Sequence, residues 1–285
     1  MRYGALLARC TFPPAGTAVT CAVSGGADSL ALLVLAVASG CEVTAVHVDH
    51  GLRPGSAAEA GVVRDAAAGL GAGFHAETVD VAPGPNLEAR ARAARYAVLP
   101  PGVLTGHTAD DQAETVLLNL LRGAGLDGLA GMRREGHPIL ALRRYETEAV
   151  CATAGLVPVT DPTNADPAHR RNRVRAEVIP LLKEVAERDP VPILARQAGI
   201  LRDEADVLDV LAAAIDPTDA HRLMRSPPAL ARRAVRRWLA EGLDHPPDAA
   251  TVERVLAVAH GMATGTDVGA GRRVARTRNV LRLEQ

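Results

Sequence analysis

Three carboxylates and an imidazole crowd one short stretch, Gly106-His107-Thr108-Ala109-Asp110-Asp111-Gln112-Ala113-Glu114-Thr115. From Ala109 onward it reads as a helix capped by Thr108 and Asp110, with Glu114 at i+4 from Asp110 and i+3 from Asp111. His107, Asp110, Asp111 and Glu114 therefore gather at one helix N-terminus. Capping needs one acid, and an uncompensated cluster of acids is electrostatically costly. Such clusters serve a cation, a proton transfer or a substrate amine. The sequence does not rank the three carboxylates as bases.

A second stretch, Ser24-Gly25-Gly26-Ala27-Asp28-Ser29, follows a strand-like run and opens an apolar helix. Its glycines let the backbone curl so that consecutive N–H groups face one oxyanion. The helix N-terminus adds its positive end, and Ser24 and Ser29 add hydroxyls. This is a polyphosphate cradle without the Gly-Lys-Ser or Gly-Lys-Thr of a P-loop. An acid such as Asp28 beside phosphate makes sense if it holds Mg²⁺. The plainer alternative is a capped helix after a glycine turn.

Other chemistry-bearing residues are more scattered. His47-Val48-Asp49-His50-Gly51-Leu52-Arg53 ends a second strand, where the backbone from Ala45 to His47 is placed to read an adenine and His50 and Arg53 to face substrate. A metal site is one alternative there, although His47 and His50 point to different sides of an extended chain; a structural loop is another. Glu88, Arg92 and Arg95 share a helix face, as a surface ion ladder or a substrate contact. Arg122 opens a glycine-rich loop to Met132, mobile or touching RNA backbone. Asp161 and Asn164 lie in a turn, and Arg170, Arg171, Arg173 and Arg175 precede another helix at a density suited to phosphates or to a solvated basic face.

The elements that must carry these residues alternate. Strands at 18–23, 43–49, 74–79 and 103–106 interleave with helices at 30–38, 56–70, 86–99 and 109–121. This spacing predicts an α/β fold with a doubly wound parallel sheet, which binds ligands at the carboxyl ends of its strands. After about residue 185 helices follow one another (190–213, 228–239, 249–260), and alternation around Thr277-Arg278-Asn279 predicts a closing hairpin. The expected domains are 1–187, catalytic, and 188–285, small and mainly helical.

At 285 residues the chain is long enough for both. Aromatics are only 2%, so the core must be aliphatic. The net charge of −1 hides a division: residues 1–168 carry −5 and residues 169–285 carry +4, a basic face available to nucleic acid. Cys10, Cys21, Cys41 and Cys151 form no Cys-x-x-Cys pair, so neither a disulfide framework nor a zinc site is expected. No apolar run is long enough to span a bilayer, and a cytoplasmic protein that engages no membrane is the expectation.

Ser24–Ser29 resembles the Ser-Gly-Gly-x-Asp-Ser loop of the N-type ATP pyrophosphatases, or PP-loop superfamily. Together with His47–Arg53, Glu88–Tyr96, Gly106–Thr115, Arg122–Met132, Pro138–Glu146 and Asp161–Pro180, it resembles the tRNA(Ile)-lysidine synthetase family. The resemblance implies an adenine nucleotide alpha hydrolase-like fold. It also implies adenylation by ATP of the oxygen on carbon 2 of the wobble cytidine in tRNA(Ile) with anticodon CAU, then displacement of AMP by the ε-amine of free L-lysine. Ser24, Gly25, Gly26, Ala27, Asp28 and Ser29 would then hold the β- and γ-phosphates with Mg²⁺ on Asp28. One of Asp110, Asp111 or Glu114 would take the amine's proton, and Arg170, Arg173 and Arg175 would hold tRNA phosphates or the α-phosphate. A homodimer is implied as well. Longer members carry a further C-terminal domain. Readings outside this family are a thiolating relative, which would need cysteine chemistry, and an ATP-binding switch without tRNA chemistry.

Overall fold

The computed structural model describes residues 2–49, 51, 56–80, 84, 87–159, 166–241, 243 and 246–284. They form two compact units, Met1–Leu201 and Arg202–Gln285.

The first unit runs α1 (Gly4–Leu7), β1 (Ala18–Ala22), α2 (Ala27–Ala38), β2 (Glu42–Asp49), α3 (Ser56–Gly69), β3 (Gly73–Thr78), α4 (Leu87–Val98), β4 (Leu104–Thr105), α5 (Ala109–Leu121), α6 (Leu126–Leu129), α7 (Arg144–Ala154) and α8 (Arg170–Arg173). A π-helical turn (Val174–Val178), α9 (Ile179–Ala186) and the start of α10 (Val191–Ala213) complete it. The four strands form one sheet in the order β3-β2-β1-β4, with every pairing parallel, as the strand–helix alternation requires. Cys21 of β1 stands opposite Ala45 of β2 on one side and Leu104 of β4 on the other.

α2 is apolar because it is covered on both sides. It packs on the sheet and on α7, and Leu30, Leu32, Leu33 and Leu35 are fully buried. Each such leucine contributes about 2 kcal/mol of burial. β2 and β3 extend the sheet to one side of β1, and β4 lies on the other. The loops leaving β1 and β4 therefore flank a crevice at the topological switch point, where open α/β sheets take their ligands. α7, with Ile139, Leu142, Val150 and Cys151 in the same core, has no counterpart in the sequence reading.

The second unit takes the rest of α10, then α11 (Ala220–Arg225), α12 (Pro228–Ala240) and α13 (Ala249–Ala259), and a small antiparallel sheet. Its strands β5 (Gly265–Gly269), β6 (Arg272–Thr277) and β7 (Val280–Glu284) lie in that order. The expected hairpin is β6–β7, turning through Arg278 at φ 57°. β5 extends it, and its Gly-Thr-Asp-Val-Gly sequence carries no apolar alternation to announce a strand. Leu223, Val235, Leu239, Val255, Val274 and Leu281 form the aliphatic core.

Candidate active site

The corner between β1 and α2 is built by its own hydroxyls. Ser29 Oγ donates to the Gly26 carbonyl (2.9 Å) and accepts from the Ser24 amide (3.1 Å), with Ser24 Oγ 3.2 Å away. Gly25 turns through φ 88°, and its carbonyl accepts from the Val159 amide at 2.9 Å. Gly26 sits at the N-cap of α2 with an ordinary φ of −72°. A β-carbon there would meet nothing nearer than Ser24 Oγ at 3.7 Å, so the space before the first turn of α2 is open. The amides of that turn have no partners within the helix. An open, amide-lined concavity at a helix N-terminus fits phosphate.

Gly106, at the end of β4, locks the second loop against the first. A β-carbon on it would lie 2.6 Å from the Asp28 carbonyl oxygen and 2.9 Å from the Ser29 amide nitrogen. The acids that follow are thereby brought to the phosphate corner. Asp111 reaches back along α5, its Oδ2 accepting from the Thr108 amide and hydroxyl at 2.9 Å each. Asp110, expected as a cap, instead takes a bidentate bond from Arg143 (3.0 and 3.1 Å) and the Arg144 amide (2.9 Å). Glu114 is fully buried. Its oxygens accept from Arg171 Nε at 2.9 Å and from Arg175 Nε and Nη2 at 2.7 and 3.1 Å.

Arg144, the first residue of α7, joins the two halves. Its guanidinium lies 3.4 Å from Asp28, 3.1 Å from Asp111 and 3.6 Å from Glu114. One turn on, the Thr147 hydroxyl donates to Asp28. Burial pushes the Asp28 carboxyl up, against the opposing pull of Thr147 and Arg144. Burial works on Asp111 in the same direction, but Arg144, the Thr108 amide, Arg171 and His107 outweigh it and hold that carboxyl below its ordinary value.

The remaining sequence-derived positions separate. His107 Nδ1 lies 2.8 Å from Thr105 Oγ1, which is 2.6 Å from His137 Nδ1, and the two rings meet edge-on. Ala45 and His47 are buried on β2; His47 Nδ1 bonds the Val23 carbonyl (2.9 Å), and its Nε2 is buried with no partner among the described residues. Arg175 joins the acid cluster, whereas Arg170 is exposed and Arg173 pairs with Glu177 at 2.8 Å on the surface. Arg122 is exposed at the C-cap of α5. The glycine-rich loop after it is tied to α5 by Gln112, bonded to Met132, and by Asn119, bonded to Gly128. His50, Arg53, Asp161 and Asn164 lie outside the described residues, as does the side chain of Arg92.

The sequence reading missed Arg143, Arg144 and Thr147, and it left Arg171 out of the arginines it assigned to phosphate, although Arg171 bonds Glu114. A signal existed for the first three. An arginine pair opens a run with apolar positions at Val150 and Cys151 that Gly155 closes in the left-handed conformation, at φ 71°.

No group of three or more His, Cys, Asp or Glu side chains among the described residues is arranged to hold a metal ion. Mg²⁺ commonly takes one or two carboxylates and completes its shell with substrate phosphates and water. Asp28 beside the open corner fits that single-carboxylate role. Burial pushes the thiols of Cys10 and Cys151 up to about 11 and that of Cys21 to about 12.

A phosphate corner at the switch point of a parallel sheet is the plan of a PP-loop ATP-using protein, and the PP-loop domain family matches residues 5–182. The chain is 44% identical to the tRNA(Ile)-lysidine synthase of Rhodococcus erythropolis, over 79% of this chain and 74% of that one. It is 46% identical to the enzyme of the same name from Nocardia farcinica, over 80% and 77%. The chain belongs to the tRNA(Ile)-lysidine synthase family. Among solved structures, a U34-tRNA thiolase, NcsA from Methanococcus maripaludis with its [4Fe-4S] cluster, shares the fold. The TM-score is 0.52 at 16% identity, over 66% of this chain and 73% of that one. No helix among the described residues is long and apolar enough to cross a membrane.

Proposed function

We propose that the protein is a ligase that joins L-lysine to carbon 2 of the wobble cytidine of tRNA(Ile) with anticodon CAU, forming lysidine from ATP. The observation that carries this reading is the contact of Gly106 with the Asp28 backbone, which puts a phosphate corner and a cluster of acids into one crevice. ATP lodges its β- and γ-phosphates on Ser24–Ser29. The cytidine oxygen forms a bond to the α-phosphorus, and pyrophosphate leaves with the bonding electrons. The neutral ε-amine of lysine then bonds to carbon 2, and the carbon–oxygen bond to AMP breaks. Asp28 would hold Mg²⁺, which would neutralise charge on the phosphates.

The amine must lose a proton, and the resting ion pairs rank the acids. Glu114 is buried and taken up by Arg171 and Arg175, so it holds the arginine segment in place. Asp110 is clamped by Arg143. Asp111 Oδ1 has one hydrogen-bond partner, the partly exposed Arg144 at 3.1 Å, with Arg175 farther off at 3.8 Å. Asp111 is therefore the base, and it also selects a cationic substrate. Exposed Arg236 and Arg237 on α12 offer charge to tRNA phosphates. The homodimer is read by light scattering.

Cysteine-based sulfur transfer is disfavoured because burial holds Cys10, Cys21 and Cys151 as neutral thiols, and only the thiolate is nucleophilic. The deciding experiment incubates the protein with ATP, tRNA(Ile) transcript and labelled lysine. Label in the RNA supports the ligase; ATP binding without AMP release supports a nucleotide-dependent switch.

A further inference from the structure

We propose that Arg144 makes lysine capture wait for the nucleotide, by occupying the place of the substrate cation until phosphates draw it away. The proposal rests on the ligase reading above. Each carboxylate of the crevice is paired in this structure: Asp28 with Arg144, Asp110 with Arg143, Asp111 closely with Arg144 and more distantly with Arg175, and Glu114 with Arg171 and Arg175. An arriving ammonium group meets no free acid.

Arg144 differs from the other arginines in what it spans. It touches Asp28 in the first turn of α2, at the phosphate corner, and also Asp111 and Glu114 on α5. Its longest reaches, 3.4 Å and 3.6 Å, are too long for strong bonds. Arg171 and Arg175, by contrast, hold Glu114 at 2.9 and 2.7 Å. A polyphosphate on Ser24–Ser29 adds several negative charges beside Asp28 and offers a guanidinium bidentate, charge-assisted partners. Arg144 is the cation best placed to turn to it. That movement frees the near side of Asp111 Oδ1, with Arg175 still 3.8 Å away, and the oxygen then accepts from the lysine ammonium. ATP thus supplies both the leaving group and the vacancy for the nucleophile.

Binding free energies are reciprocal, so lysine tightens nucleotide binding by the factor that nucleotide tightens lysine binding. The test measures lysine affinity by calorimetry, with and without an ATP analogue carrying a methylene between the α- and β-phosphorus atoms. In the unaltered protein the analogue tightens lysine at least ~10-fold. In Arg144→Gln, lysine binds without nucleotide and the coupling falls to about one-fold; in Arg144→Lys, which keeps a mobile cation, part of it survives. Thermal unfolding and circular dichroism show whether each variant is folded. Lysine affinity in the unaltered protein that ignores the analogue overturns the proposal, as does full coupling in folded Arg144→Gln. Failure of the ligase reading is distinct: a protein that puts no lysine into tRNA(Ile) fails there, whereas one that does so without coupling fails here alone.

Discussion

Gly106 and Asp28, from different loops, approach so closely that a β-carbon on the glycine would lie 2.6 Å from the aspartate's carbonyl oxygen. The neighbouring atoms are backbone, which cannot swing aside as a side chain would. Gly106→Ala must therefore push the end of β4 away from α2 and separate the acids from the phosphate corner. We expect a stability loss of about 1–3 kcal/mol, the range for overpacking, and a larger loss of lysine transfer than of ATP binding. Denaturant unfolding together with separate ATP-binding and transfer assays checks this.

Gly26 makes the complementary case. Its φ of −72° suits any residue, and an added β-carbon meets only Ser24 Oγ at 3.7 Å. Gly26→Ala should keep its melting temperature and lose nucleotide affinity, because the methyl group enters the space meant for phosphate. Calorimetric titration with ATP and a thermal melt separate the two effects.

Glu114 is a structural anchor as well as part of the site. Replacing it with alanine takes the close, buried counter-charge from Arg171 and Arg175 and leaves them the more distant Asp111, 3.8 Å from Arg175. Breaking a buried ion pair typically costs 3–5 kcal/mol, and since both arginines are about a third exposed we expect about 3 kcal/mol. A chemical denaturation midpoint near that of the unaltered protein would contradict the anchoring role.

Acid should unfold the protein partly through Asp111. Its folded carboxyl lies below the ordinary value of 3.8, so it contributes stability above that pH and loses it as pH falls through the folded value. Asp28 has the opposite sign: its raised carboxyl favours the fold at low pH, and that contribution is lost as pH rises through the raised value. Asp111→Asn should flatten the fall in stability between about pH 5 and about pH 2. Unfolding titrations at several pH values give the slopes.

Much of this site was legible because its signals are local. The Ser24–Ser29 turn and the Thr108–Glu114 spacing each lie within about seven residues of chain, and strand–helix alternation gave the parallel sheet. Arg144 was not legible, since its bonds to Asp28 and Asp111 cross 116 and 33 residues of chain and depend on how α7 packs on α2. Arg171 and Arg173 look alike in sequence, and only the helical phase of α8 turns one inward to Glu114 and the other outward to Glu177. The Asp111 carboxylate, rather than Asp110, reaches back to Thr108 because it stands three residues after the N-cap, where a capping box closes, while Asp110 turns to Arg143.

The most direct test asks which bond of ATP is broken. With tRNA(Ile) and lysine present, chromatography of the products should show AMP and pyrophosphate formed in step with lysine entering the RNA, and Asp28→Ala should form neither while remaining folded. ADP and phosphate as products, or an Asp28→Ala protein that turns over normally, would contradict the role given to this corner.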